Sequence, residues 1–194
     1  MRPSPAAEPG PLAPAERQCL LGVARAAIEH GLEHGRPLVV RAAAYPEPLR
    51  AVRASFVTLR RGEALRGCIG TCVAVRPMVE DVARHAYAAA FEDPRFPPLT
   101  PAERADLHLH LSLLTAPQPL RVASQAELLA QVRPGVDGLL LQDGFHQSTL
   151  LPSVWEVLPD PAEFVRHLKL KAGLPADHWS PTLSFQRYTA ESVS

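Results

Sequence analysis

Leu107-His108-Leu109-His110-Leu111-Ser112-Leu113 alternates without a break, leucines on one side and His108, His110 and Ser112 on the other. A period of two marks a strand with one apolar and one polar face, and the leucine face calls for helices to cover it. Two helical stretches stand upstream. From about Glu16 to His34 the residues Leu20, Leu21, Ala24, Ala27, Ile28, Gly31 and Leu32 recur at helical spacing, and Gly35 and Pro37 end the run. Pro77 can open a second helix reaching about Phe91, with Met78, Val79, Val82, Ala86, Ala89 and Ala90 toward its buried side.

Between these helices, Ser55–Arg60 and Ala64–Gly70 read as strands joined at Arg61-Gly62-Glu63, and residues 42–54 as a connecting loop. Pro94, Pro97 and Pro98 lack amide hydrogens and stop the second helix. Thr100-Pro101-Ala102-Glu103 and Ser124-Gln125-Ala126-Glu127 are capping-box patterns, the second opening a helix to about Val132. Gly138–Asp143 and His146–Leu151 read as a hairpin around Gly144. Asp160-Pro161-Ala162-Glu163 caps a helix to Ala172 with Gly173 beyond it, and Thr182–Tyr188 reads as a last strand. Helices and hairpins mix without regular strand–helix alternation. The expected class is α+β, with a largely antiparallel sheet flanked by helices.

Residues 1–14 hold five prolines (Pro3, Pro5, Pro9, Pro11 and Pro14) and read as a flexible tail before one domain over residues 15–190. The 194 residues suit a single domain, or one with a small lobe. Twenty Lys+Arg balance twenty Asp+Glu, which removes the electrostatic footprint of a duplex nucleic-acid binder or a membrane-surface protein. The three cysteines (Cys19, Cys68 and Cys72) are odd in number and too few for a disulfide scaffold, so a cytoplasmic location is expected. No apolar run approaches a membrane span.

The strongest chemical candidate is Leu65-Arg66-Gly67-Cys68-Ile69-Gly70. Glycines on both sides leave room beside the sulfur, and Arg66 offers a positive charge that favours thiolate over thiol. In a regular strand residues 66 and 68 share a face. One reading is a nucleophilic or redox thiol served by His110 or His108 from the alternating strand; the other is a small buried apolar side chain. Asp93-Pro94-Arg95-Phe96-Pro97-Pro98 is a stiff loop. Either Arg95 binds a substrate carboxylate or phosphate there, or Asp93 and Arg95 pair in a structural corner with Phe96 in the core.

Metal chemistry finds little support. Cys68 and Cys72 lack a second ligand pair, for zinc as for an iron–sulfur cluster. His30 and His34, at i and i+4, lack the glutamate of a His-Glu-x-x-His site and read as a solvated helix edge. No phosphate-cradling glycine loop is present, so no cofactor is expected.

Six blocks in order carry a family resemblance. They are Leu65–Gly70, Asp93–Leu99, Ser112–Thr115, Pro134–Leu139, Leu150–Glu156 and Lys171–Pro175. Together they resemble the AmmeMemoRadiSam system protein A family, named for Alport syndrome with midface hypoplasia, intellectual disability and elliptocytosis, over about residues 15–190. The resemblance implies a main sheet lobe flanked by helices plus a smaller lobe. It also implies an association with a radical SAM enzyme and a Memo-like protein, the radical chemistry belonging to the partner. The chain would be an enzyme or catalytic accessory, with Cys68, Arg66 and His110 in catalysis and Gly67, Gly70, Asp93 and Arg95 holding a small-molecule or peptide ligand. The alternative is a non-catalytic adaptor or ligand-binding module. The chain departs from the family pattern at His110, at Lys169 and in Phe145–Thr149, which resembles the family's basic, glycine-containing turn less closely. His110 replaces an acidic residue: if that acid does chemistry in the family, a histidine keeps the acid/base role nearer neutral pH, and if it makes only a salt bridge the change alters little. Lys169 replaces a cysteine, which argues against a disulfide from Cys68 to that place.

Overall fold

The computed structural model describes residues 10–194. Residues 1–9 of the expected tail lie outside the described residues. Leu12 is buried in the core, and the first helix begins at Pro14.

The described chain forms two antiparallel four-stranded sheets with helices, an α+β fold. Two compact units divide the described residues, 10–114 with 191–194 and 115–190.

The first unit carries helix α1 (Pro14–His34), a one-turn helix α2 (Glu47–Arg50), strands β1 (Ser55–Arg61) and β2 (Ala64–Gly70), helix α3 (Met78–Phe91) and strand β3 (Leu107–Leu114). Its final strand runs over Ala190–Val193, and the sheet order is β2, β1, β3, then that final strand. The register sets Val57 opposite Leu111 and Leu59 opposite Leu109. These four and Leu113 form a core with Leu20, Ala24, Ile28, Val79, Val82 and Ala86 of α1 and α3. The leucine face of β3 therefore meets helices, as its alternation requires. The segment 42–54, expected as loop, contains a 3₁₀ turn at Ala42–Ala44 as well as α2.

Glu191 ties the C-terminal strand to the start of the unit. Its carboxylate accepts the Leu12 amide at 3.0 Å and pairs with Arg17 at 3.0 Å and Arg53 at 3.3 Å. Arg53 is buried and also donates to the carbonyls of Leu113 and Leu114.

The second unit holds β4 (Gln118–Leu120), α4 (Gln125–Gln131), β5 (Gly138–Asp143), β6 (His146–Leu150), α5 (Pro161–Lys171) and β7 (Ser184–Tyr188), with sheet order β4-β7-β5-β6. The final strand of the first unit is β8. The expected caps are in place: Ser124 Oγ accepts the Glu127 amide, and Asp160 accepts the Glu163 amide. Trp155 stacks on Phe164 at 3.8 Å between ring centres, in a core with Leu128, Leu139, Leu141, Val165, Leu168 and Phe185. Trp155 Nε1 donates to the Asp137 carbonyl at 2.7 Å, which satisfies its one polar atom.

Candidate functional site

The hairpin β1–β2 turns through Gly62 and Glu63, with Gly62 at φ 55°. Counted regularly from the pair Arg61–Ala64, Gly67 would stand opposite Thr58. It does not. The register passes from Arg60–Leu65 to Leu59–Gly67, so Arg66 is an extra residue, a β-bulge. Every residue beyond it changes face. Gly67 turns toward α3, and Cys68 takes the place opposite Thr58. The shared face expected for Arg66 and Cys68 is lost for the same reason, because alternation does not run through a bulge.

The exchange suits both residues. A Cβ at position 67 would collide with the carbonyl oxygen of Ala89, so only glycine lets α3 lie this close to β2. A Cβ at Gly70 would collide with the Phe56 ring and the Ser55 carbonyl. Cys68, half-buried, lies on the face opposite the helices, and its Sγ is 3.3 Å from Thr58 Oγ1. His110 stands opposite Thr58 on the other side of β1. Cys68, Thr58 and His110 thus form one row across three strands. At the ~4.8 Å spacing of neighbouring strands the outer two are about 10 Å apart at the backbone, with Thr58 between them.

Because β2 is an edge strand, the Cys68 amide and carbonyl have no strand partner on the outer side. Side chains from the loop after α3 supply one. Asp93 Oδ2 accepts the Cys68 amide at 2.8 Å, and Arg95 Nη2 donates to the Cys68 carbonyl at 3.1 Å. Asp93 and Arg95 are joined in turn by a two-pronged ion pair at 2.7 and 2.9 Å. Asp93 is buried, whereas 53 % of the Arg95 side chain is exposed. The Arg95 guanidinium, with the Cys68 amide, holds the Asp93 carboxyl well below the usual carboxylate range.

Arg66 is buried and turned elsewhere. Its Nε and Nη2 donate to Glu103 at 2.6 and 3.1 Å, and Nη2 also donates to the Pro97 carbonyl at 3.0 Å. The Arg66 guanidinium brings the Glu103 carboxyl down to about 2. Glu103 meanwhile accepts the Thr100 amide at 2.9 Å, the capping bond read from the sequence. Phe96 lies between the two arginines, 5.9 Å from Arg66 and 5.6 Å from Arg95, and is half-buried instead of set in the core. The bulge, the proline loop and the capping turn therefore form one braced assembly around the backbone of Cys68.

Thr58 and Glu103 are the members of this assembly that residue patterns did not single out as site residues. Glu103 was visible only as a cap. Thr58 becomes a neighbour of Cys68 only through the bulge. A further cluster also lacks a sequence signal. Asp81, from α3, accepts the amide and hydroxyl of Ser55 at 3.0 and 2.7 Å, with His85 Nδ1 at 3.1 Å, all three buried.

Elsewhere, His30 and His34 meet edge to face at 4.3 Å. Among the described residues no group of three or more His, Cys, Asp or Glu is placed to hold a metal ion, and no helix is long and apolar enough to cross a membrane. Lys169 is fully buried in the second unit. Its Nζ donates to Gln125 at 2.7 Å and to the Ala176 carbonyl at 3.3 Å, 5.5 Å from the Trp179 ring, and burial pushes its pKa down.

The AMMECR1 family profile matches residues 21–193. The chain belongs to the AMMECR1 family. A protein of Methanothermobacter thermautotrophicus is 38% identical over 187 residues, covering 93% of this chain and 95% of the relative. One from Methanocaldococcus jannaschii is 39% identical over 163 residues, covering 80% and 78%. The crystal structure of an uncharacterised protein from Pyrococcus horikoshii superposes with a TM-score of 0.85 at 33% identity, covering 93% of this chain and 92% of that one. The AMMECR1 match spans all six motif blocks and so bears out the resemblance they carry.

Proposed function

We propose that this AMMECR1-family chain works through Cys68, as an enzyme or catalytic accessory acting on a small-molecule or peptide substrate at the open face of the first sheet. The observation that carries the reading is the row Cys68–Thr58–His110, with Thr58 Oγ1 3.3 Å from the thiol sulfur. A hydroxyl beside the sulfur can donate to a thiolate, and an imidazole on the same face can take up or return a proton near neutral pH. Asp93 positions the Cys68 backbone. The exposed side of Arg95 is suited to a carboxylate or phosphate on the substrate. Arg66 acts as a positioning residue through Glu103 and Phe96, and Gly67 and Gly70 supply the close approaches that shape the strand. The cytoplasm is the setting, with a radical SAM enzyme and a Memo-like protein as the partners that family resemblance suggests.

One observation favours a second reading, a non-catalytic adaptor or ligand-binding module. Asp93 is paired with Arg95, and Glu103 with Arg66, an arrangement that stiffens a surface without preparing a reaction. The deciding experiment is iodoacetamide labelling of Cys68 against pH, read by mass spectrometry, with Cys19 and Cys72 as internal references. Labelling that stays fast well below pH ~8.5, the ordinary free-cysteine value, supports the thiol reading. Slow labelling at every pH in the folded protein overturns it and leaves the binding module.

A further inference from the structure

The other side of the first sheet carries a separate cavity of about 140 Å³, between α1 and the start of β3. Ile28, Leu32, Leu99 and Leu109 line its apolar part, and Arg25, Glu29 and Arg104 stand around it. Arg104 Nε is joined to Glu29 at 2.6 Å. Arg25, one helical turn before Glu29, makes no ion pair or hydrogen bond among the described residues. Two guanidinium groups thus face one carboxylate, and the rim carries one uncompensated positive charge.

We infer that this cavity is a binding site for a small apolar monocarboxylate. The apolar lining takes the hydrocarbon body, and the single excess charge is matched by a single negative one. Arg25 receives the carboxylate in the two-pronged geometry that guanidinium groups favour, while Glu29 keeps Arg104 in place beside it. A doubly charged ligand would leave one charge unmatched against Glu29, and an amine would be repelled by Arg25. The volume sets the size of the body. It is far below the ~300–1,000 Å³ of sites for drug-sized ligands and close to the ~150 Å³ of an apolar cavity that accepts benzene. The site lies on the helix-covered side of the sheet and is independent of the Cys68 row.

Sodium benzoate is the probe, titrated into the full chain and followed by amide chemical shifts, with benzyl alcohol and benzylamine as controls of similar shape. Saturable shifts at Arg25, Leu32 and Leu109 are expected for benzoate. Binding of benzyl alcohol should be about tenfold weaker, the size of one charge-assisted contact, and benzylamine should not saturate. Arg25→Gln, at an exposed position, should weaken benzoate about tenfold with the thermal midpoint unchanged. Leu32→Phe, which puts a larger side chain into the cavity lining, should abolish binding. The absence of saturable shifts at these residues overturns the inference, as does benzyl alcohol binding as well as benzoate.

Discussion

Asp93 stands in for a missing strand beside Cys68. Its Oδ2 receives the Cys68 amide at 2.8 Å, at the outer edge of β2 where a neighbouring strand's carbonyl would otherwise lie. Arg95 completes the substitution by donating to the Cys68 carbonyl. An exposed strand edge invites pairing with other chains, and a charged pair seated on it prevents that as well as fixing the backbone.

Asp93→Ala should therefore cost about 2–3 kcal/mol, since a buried amide and a guanidinium both lose their partner. Arg95→Ala should cost a comparable amount, because it leaves the buried Asp93 carboxylate without its counter-charge. Urea denaturation measures both. Hydrogen exchange at the Cys68 amide should quicken in Asp93→Ala.

Gly67→Ala should destabilise by about 3 kcal/mol, because the new methyl meets the Ala89 backbone and α3 has no side chain there to turn aside. Gly62→Ala is the contrast. Its Cβ points into open space, and only the φ of 55° opposes it, at about 1 kcal/mol.

Thr58→Val keeps the shape of the side chain and removes the hydroxyl 3.3 Å from the Cys68 sulfur. Iodoacetamide labelling of Cys68 at neutral pH should slow about two- to fivefold, the worth of one modest hydrogen bond. Arg66→Lys, which acts on Glu103, should leave that rate within a factor of about two while lowering stability.

Acid should unfold the first unit partly through Glu103. Its carboxyl has an ordinary value of 4.5 and falls to about 2 in the folded chain, through Arg66 above all. The unfolded chain thus takes up the proton first. The stabilisation is complete above pH 4.5 and is lost as the pH falls toward 2. Urea midpoints measured from pH 6 downward should fall on acidification, and Glu103→Gln should flatten the curve over that window.

Much of this fold is legible in residue order, for reasons that are local. The alternation in Leu107–Leu113 and the helical spacing in α1 and α3 record which faces are buried, and capping patterns at Ser124 and Asp160 mark helix starts. Strands β4 and β8 are not legible, since three or four residues carry no periodicity and exist only because a neighbour pairs with them. The site was half legible. Cys68, Asp93 and Arg95 announce themselves by type and setting, and they do meet. The bulge at Arg66 does not, because it answers to Glu103, Pro97 and the close approach of α3, all distant in sequence. Without it Cys68 would face the helices and Thr58 would have a glycine beside it.

The strand that completes the first sheet is made of residues synthesised long after the rest of it. Residues 115–190 intervene between Leu114 and Glu191. At ordinary elongation rates of ~5–20 residues per second, the ribosome spends about 4–15 s on that stretch. Throughout that interval β3 has an uncovered edge, and Arg17 and Arg53 await the carboxylate that joins them. A nascent chain of this protein therefore presents a nearly finished sheet to the cell for several seconds. A chaperone that recognises open strand edges has its opportunity then, and so does a second nascent chain on the same message.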